Sequence, residues 1–365
     1  MRAAAMHGLR LEEEPQPLGP PLWDWSQVQS VLLIRLRSIG DTVLATPSLY
    51  ALKRFLPHAR IDILLEDWVA PVLEGFPHVD NVITLKRNST TARARVARQL
   101  RSSQYDVVYN LHGGTTATLL TRATGARHRV GLTTYPYGRL YTHLAPSPLL
   151  LWNREQTHSV EQQLALLGWT GVPVSDRPPT QLAVVASAAE SVAKRLRDAG
   201  WDEQTPLALI HPAAAFATKQ WAAEKFARVV DQLANRGFSV VAITAPAEAP
   251  IMHELIASSS APLIPFVDLT LPEVTALASR ARLFVGNDSG IAHMAAAVGL
   301  PSVVIFGSSN IAHWSPWATA PAEVVIEEMD CQPCHGYYCE KFAQPECILR
   351  VPVERVIAAV ERILR

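Results

Sequence analysis

The segment from Arg282 to Gly307 constrains the fold of this chain most. An apolar run, a polar glycine turn, a short helical stretch and a second apolar run follow one another directly. The strand reading ends at Val285-Gly286, the turn is Asn287-Asp288-Ser289-Gly290, and the helix continues through Ala295, Ala296 and Ala297. Asp288 or Ser289 is placed to cap that helix, and Gly290 lets the backbone approach a ligand closely. Gly299 stands at a C-terminal cap position, Pro301 prevents continuation, and Ser302 to Gly307 reads as a buried parallel strand. A strand-helix-strand unit of this kind presents a phosphate-sized hole at its tip, where helix N–H groups and the helix dipole favour an anion.

The same grammar recurs along the chain. Val31 to Leu36, Ile61 to Leu65, Asn81 to Leu85 and Tyr105 to Leu111 are strand candidates. Helical stretches near Thr46 to Phe55 and Thr91 to Ser102 alternate with them. After residue 180 the alternation restarts with a helix over Ser187 to Ala199, a strand at Leu207 to Ile210 and a helix at Glu224 to Arg236. A strand at Phe238 to Thr244 and a helix at Leu271 to Arg280 follow. Alternating strands and helices build a parallel sheet covered on both faces. The pattern therefore predicts an α/β chain of two doubly wound domains, residues 29–175 and 180–350, with a C-terminal helix over 351–365. Pro173, Pro178 and Pro179 mark the boundary, and the cleft between the domains is the expected ligand site. Residues 1–28, rich in Glu and Pro and without periodicity, read as a flexible leader outside the fold.

With 365 residues and 48% hydrophobic content, the chain can bury two cores. Its formal charge of zero is unevenly placed: residues 29–180 hold 17 Lys/Arg against 10 Asp/Glu, and residues 181–365 hold 14 against 19. A basic first half suits an anionic partner such as a phosphorylated acceptor or a membrane surface, although scattered charge can also be a solvated face. No stretch approaches the roughly 18–20 apolar residues of a membrane span, and the N-terminus lacks a signal-peptide layout. The expectation is a cytoplasmic, soluble protein. No nucleic-acid signature accompanies the arginines, so a nucleic-acid partner is not expected.

Three places carry candidate chemistry. Asp41 lies at the C-terminal end of the first strand and is the candidate base. Lys219, in the loop that starts at His211 after the strand Leu207 to Ile210, is a candidate phosphate ligand. His293 sits one turn into the helix that follows Ser289-Gly290. Each also has a plain structural reading as a turn cap, a solvated lysine and a packing histidine. The chain has no Asp-x-Asp pair to clamp a divalent cation on a diphosphate. Charge on a leaving diphosphate would then fall to Lys219 and backbone dipoles, which favours metal-independent transfer.

Taken together, Ile34-Arg35-Leu36-Arg37-Ser38-Ile39-Gly40-Asp41-Thr42 with Thr46-Pro47, His211-Pro212 through Lys219-Gln220-Trp221, and Gly286-Asn287-Asp288-Ser289-Gly290 with His293 resemble the heptosyltransferases of lipopolysaccharide synthesis, glycosyltransferase family nine. The resemblance covers nearly everything after residue 28. It implies two facing Rossmann-like domains of the GT-B type. It further implies an ADP-heptose donor, no cofactor for catalysis, and an anionic glycolipid acceptor in the lipopolysaccharide inner core. Peripheral contact at the inner face of the inner membrane would follow. Residue by residue, it implies that Asp41 is the general base, that Lys219 meets the donor phosphates, and that Asp288, Ser289, Gly290 and His293 line the nucleotide sugar. Glu248 stands where relatives place an acidic residue for the ribose. Ala213, Ala214 and Ala215 depart from the Gly, Ser or Thr often found after His-Pro.

All four cysteines fall at Cys331, Cys334, Cys339 and Cys347. A structural Zn or Fe site and reduced packing thiols are both open readings of that spacing. The motifs also leave open another nucleotide sugar, a protein acceptor or a nucleotide-sugar epimerase. A non-catalytic nucleotide-sugar-binding protein belongs to a different class, and it would need no base at Asp41.

Overall fold

The structure, a computed structural model, describes residues 14–334 and 338–365. In the first domain, β1 (Ser30–Ile34), β2 (Arg60–Glu66), β3 (Asn81–Leu85), β4 (Val107–Asn110), β5 (His128–Leu132) and β6 (His143–Ala145) form one sheet in the order β3-β2-β1-β4-β5-β6. Every pairing in it is parallel. Helices α1 (Ile39–Val43), α2 (Thr46–Phe55), α3 (Thr90–Ser102), α4 (Thr115–Thr124), α5 (Pro148–Trp152) and α6 (Ser159–Trp169) connect and cover these strands. The central strand β1 is buried along its whole length, which is why Ser30-Val31-Leu32-Leu33-Ile34 is apolar without alternation.

The second domain repeats the design. Strands β7 (Leu207–His211), β8 (Ser239–Ile243), β9 (Ile264–Phe266), β10 (Leu283–Asn287), β11 (Ser302–Phe306) and β12 (Ala322–Ile326) lie in the order β12-β11-β10-β7-β8-β9. They also pair in parallel throughout. Its helices are α7 (Ala186–Asp198), α8 (Ala223–Asn235), α9 (Ala249–Ser258), α10 (Leu271–Arg280), α11 (Gly290–Ala297), α12 (Ile311–Trp314), α13 (Glu346–Leu349) and α14 (Val353–Ile363). The last of these packs on α8, β11 and β12, so the C-terminal helix is built into the second domain. Two parallel six-stranded sheets with helices make this an α/β fold. The switch point of each sheet lies beside its first strand, where β1 and β7 place their C-terminal ends.

Periodicity did not reveal β5, β6, β9 and β12. Three of them are flanking strands; β6 and β9 have three residues each, and β12 is mostly half-exposed, so no long apolar run marks them. The leader expectation is corrected for residues 14–28. The Leu18 and Gly19 N–H groups donate to Gly168 O at 3.0 and 3.1 Å, Gln16 N–H donates to Ser175 Oγ at 2.7 Å, and Trp25 Nε1 donates to Thr170 O at 3.1 Å. Apolar Leu18, Trp23 and Trp25 tie the segment to the first domain's core despite its proline content. Residues 1–13 of the expected leader lie outside the described residues.

The two domains touch through α1 and α11. A Cβ on Gly290 would stand 2.7 Å from the Ile39 Cβ and 3.0 Å from the Gly40 backbone N, and one on Gly40 would stand 2.7 Å from His293 Cδ2. Only glycine at both positions permits this approach. Among the described residues no helix is long and apolar enough to cross a membrane.

Candidate active site

Asp41 sits in the first turn of α1, just beyond the C-terminal end of β1. Its carboxylate is held on three sides: Oδ2 accepts Ser38 N–H at 3.0 Å and Ser38 Oγ–H at 2.9 Å, and Oδ1 is bound by the Arg35 guanidinium. Arg35 is almost enclosed, with its Nε unpartnered, and burial lowers its pKa to about 10, still fully charged at neutral pH. A carboxylate has about four lone-pair sites, so one remains open on Asp41.

Across the seam, Lys219 ends the turn Ala217–Lys219 and its Nζ lies 2.8 Å from Asp288 Oδ2. Ser309 Oγ donates to the same oxygen at 2.5 Å. Asp288 is therefore a buried partner of Lys219. The expected cap is absent: Ser289 occupies the N-cap position of α11 without a side-chain cap bond, and its Oγ shares a 3.2 Å hydrogen bond with His211 Nδ1. The N-terminus of α11 is left without a side-chain acceptor.

A cavity of about 360 Å³ opens between the domains beside that helix end. Ser38, Gly40 and Trp68 line it from the first domain, and Ala214, Ala215, Ser289, Gly290 and Glu248 line it from the second together with the apolar side chains of Ile243, Leu269, Leu271 and Val274. Of the residues singled out in the sequence, Ser289, Gly290 and Glu248 line this cavity, and Asp41, Lys219, Asp288 and His293 are not among its lining residues. The Glu248 carboxylate accepts Ala245 N–H at 2.9 Å, closing its own turn. His293 is 5% exposed, packs on Gly40, and leaves Nδ1 without a partner.

Sequence reasoning missed the supports. Asn287 is fully buried, donating from Nδ2 to Pro212 O at 2.9 Å and accepting Trp221 N–H at 3.2 Å. Gln220 Oε1 accepts Ala214 N–H at 2.8 Å and its Nε2 donates to Trp221 O at 2.9 Å. These two amides fix the loop between β7 and α8, in which Ala213 is buried and Ala214 and Ala215 line the cavity.

A second, polar cavity of about 200 Å³ lies at the C-terminal edge of the first sheet. Arg37, Lys86, Arg87 and Arg93 line it with His112 and the start of α4, against a single carboxylate from Glu66. Trp68 Nε1 donates to Glu66 Oε2 at 2.7 Å.

The four cysteines are free, and Cys347 is buried. Burial and neighbouring thiols push Cys334 and Cys347 up, which keeps them protonated. Among the described residues no group of three or more His, Cys, Asp or Glu is arranged to hold a metal ion, so the Zn or Fe reading finds no assembled ligand set. The segment instead braces the loops around Lys219. Cys334 N–H donates to Ser308 O at 2.9 Å, Gln332 Nε2 donates to Gly307 O at 2.6 Å, and Ser308 N–H donates to Thr218 O at 3.1 Å.

Burial lowers His112, His158, His211 and His293 from an ordinary 6.5 to about 4. The folded chain thus binds fewer protons than the unfolded one between these values, so stability rises with pH across that window. It should be fully present above about 6.5 and lost as pH falls toward 4. Urea midpoints at pH 5 and pH 7.5 test this; equal midpoints would contradict neutral, buried histidines.

The family model described as glycosyltransferase family 9 (heptosyltransferase) matches residues 93–342. The chain belongs to this family. Lipopolysaccharide heptosyltransferase 3 of Escherichia coli is 28% identical to it, over 90% of this chain and 97% of that protein. Lipopolysaccharide heptosyltransferase 2 of Salmonella typhimurium is 25% identical, over 77% and 83%. Among solved structures, a family 9 glycosyltransferase from Veillonella parvula superposes with a TM-score of 0.82 at 22% identity, covering 92% of this chain and 97% of that one. ADP-heptose heptosyltransferase II of Escherichia coli gives 0.75 at 22%, covering 92% and 98%. The iron-containing dodecameric heptosyltransferase TibC shares the fold more distantly, with 0.55 at 14% over 93% and 76%. This family 9 member is accordingly a glycosyltransferase with the GT-B architecture of its neighbours, and its family places it among heptosyltransferases.

Proposed function

We propose that this protein transfers heptose from ADP-heptose to the anionic core of a lipopolysaccharide acceptor, with inversion at the anomeric carbon and without a metal ion. The observation that carries the reading is the carboxylate of Asp41, oriented by Arg35 and Ser38 with one lone pair free, across the seam from the uncapped start of α11. Asp41 removes the proton of an acceptor hydroxyl, whose oxygen attacks the anomeric carbon from the face opposite the departing ADP. The new C–O bond forms as the bond to the diphosphate breaks, and the electron pair leaves with ADP.

Lys219 and the α11 N–H groups meet the charge that develops on the diphosphate. Asp288 and Ser309 hold Lys219 there, and the ammonium keeps donors free for phosphate oxygens. The apolar lining of Ile243, Leu269, Leu271 and Val274 suits a flat base, and Glu248 in the same cavity suits ribose hydroxyls. The basic cavity around Arg37, Lys86, Arg87 and Arg93 suits a phosphate or carboxylate of the acceptor. His293 positions Gly40 and the seam. The enzyme would work at the membrane that carries its acceptor.

Titration calorimetry with ADP-heptose, ADP and UDP-sugars tests the donor, and a transfer assay with and without EDTA tests the metal. Selective binding of ADP ligands and a turnover unchanged by EDTA are expected. Preference for UDP-sugars, or activity lost to EDTA and restored by Mg²⁺, would overturn those parts.

A further inference from the structure

Between Asn81 and Arg154 the chain carries 11 Lys/Arg and one acidic residue, Asp106. That carboxylate is already engaged, with Oδ2 accepting the Gln29 and Ser30 N–H groups at 3.0 Å each. The segment supplies α3 and α4, which pack side by side over the first sheet. Arg93, Arg95, Arg98, Arg122, Arg127 and Arg139 are exposed, and among the described residues none is paired with a carboxylate. The second domain treats its arginines differently. There Arg228, Arg236, Arg355 and Arg362 each meet a glutamate at 2.6–2.8 Å.

Unneutralised like charges on neighbouring helices and turns repel one another, and an anionic surface that covers them relieves that repulsion. Leu119 is 53% exposed one helical turn from Arg122, and the turn Gly138–Leu140 beside α4 brings Tyr137, 57% exposed. Apolar side chains among arginines suit an interface that is charged at its surface and apolar beneath. The N-terminal ends of α3 and α4 adjoin the basic cavity that holds Arg93, Thr115 and Thr116, so whatever covers the face lies next to the acceptor end of the cleft.

We infer that the α3–α4 face docks on the anionic lipid bilayer, delivering the membrane-borne acceptor to the adjoining cavity. The inference rests on the reading of the acceptor as a glycolipid. A polybasic surface contributes roughly fivefold in membrane affinity per Lys or Arg, and the effect is screened by salt. Replacing three arginines should therefore weaken binding on the order of 100-fold.

The test is cosedimentation of the full chain with vesicles of phosphatidylethanolamine and phosphatidylglycerol, and with neutral phosphatidylcholine vesicles, at low and high salt. Arg95→Glu/Arg98→Glu/Arg122→Glu is compared with the milder triple Gln variant, which guards against loss of folding. The expected result is salt-sensitive binding to anionic vesicles only, abolished by the Glu triple and reduced on the order of 100-fold by the Gln triple. Both variants should keep ADP affinity and turnover on delipidated core oligosaccharide. Equal binding to neutral vesicles, or unchanged binding by both triples, would overturn the docking face. Tighter, arginine-dependent binding to duplex DNA than to vesicles would also overturn it, in favour of a nucleic-acid surface. Failure of the acceptor reading would be seen separately, as no transfer to the delipidated oligosaccharide by the wild type.

Discussion

Asp41→Asn should lower turnover by about 10²–10⁴, the usual contribution of a positioned base, while ADP-heptose binds nearly as before. The amide keeps the shape, but its single oxygen accepts either from Arg35 or from the two Ser38 donors, not from both. It cannot take a proton from the acceptor hydroxyl at neutral pH. The effect should appear in kcat and kcat/KM together, since the lost interaction belongs to the transition state. Near-normal turnover would remove Asp41 from the role of base. A large loss of donor affinity would instead mean that the Arg35–Asp41 pair shapes the donor site.

Lys219→Ala should have two separable effects. The first is on stability: Asp288 has a side chain 5% exposed and would keep Ser309 but lose its cation. Removing one partner of a buried pair costs about 3–5 kcal/mol, and the partial exposure of Lys219 places this case near the lower end. The second effect is on donor binding and turnover, because the phosphate charge is met before and during departure. Adding Asp288→Asn should restore most of the stability and none of the activity. Thermal unfolding and donor titration of the two single variants and the double variant check this. Full donor affinity in Lys219→Ala would assign Lys219 to structure alone.

The parts of this fold visible in the sequence are those whose residues answer to one local rule. Phe284-Val285-Gly286 and Ser302 to Phe306 are buried on both faces, so an unbroken apolar run marks them, and β10, α11 and β11 were readable together. The edge strands β6, β9 and β12 are short or half-wet and obey no such rule. Of the site, Asp41, Lys219 and Ser289-Gly290 were legible as residue types at strand ends. Their partners were not, because Asp288 reaches Lys219 and Ser309 only after distant segments converge, and an Asp beside Ser-Gly looks from sequence like a cap. Arg35 was within the first motif, but its near-complete enclosure against Asp41 is a product of the fold. The leader misled for a related reason: proline and glutamate in residues 14–28 signal disorder locally, whereas Leu18, Trp23 and Trp25 are held by the first domain's core.

The most direct test of the central proposal is transfer with ADP-heptose and a heptose-deficient glycolipid, reading the anomeric configuration of the product by NMR. The account predicts a heptosylated product whose configuration is opposite to that of the donor, formed in the presence of EDTA. Retention of configuration would contradict the single displacement assigned to Asp41. No heptose transfer, with transfer from a UDP-sugar instead, would contradict the proposed donor.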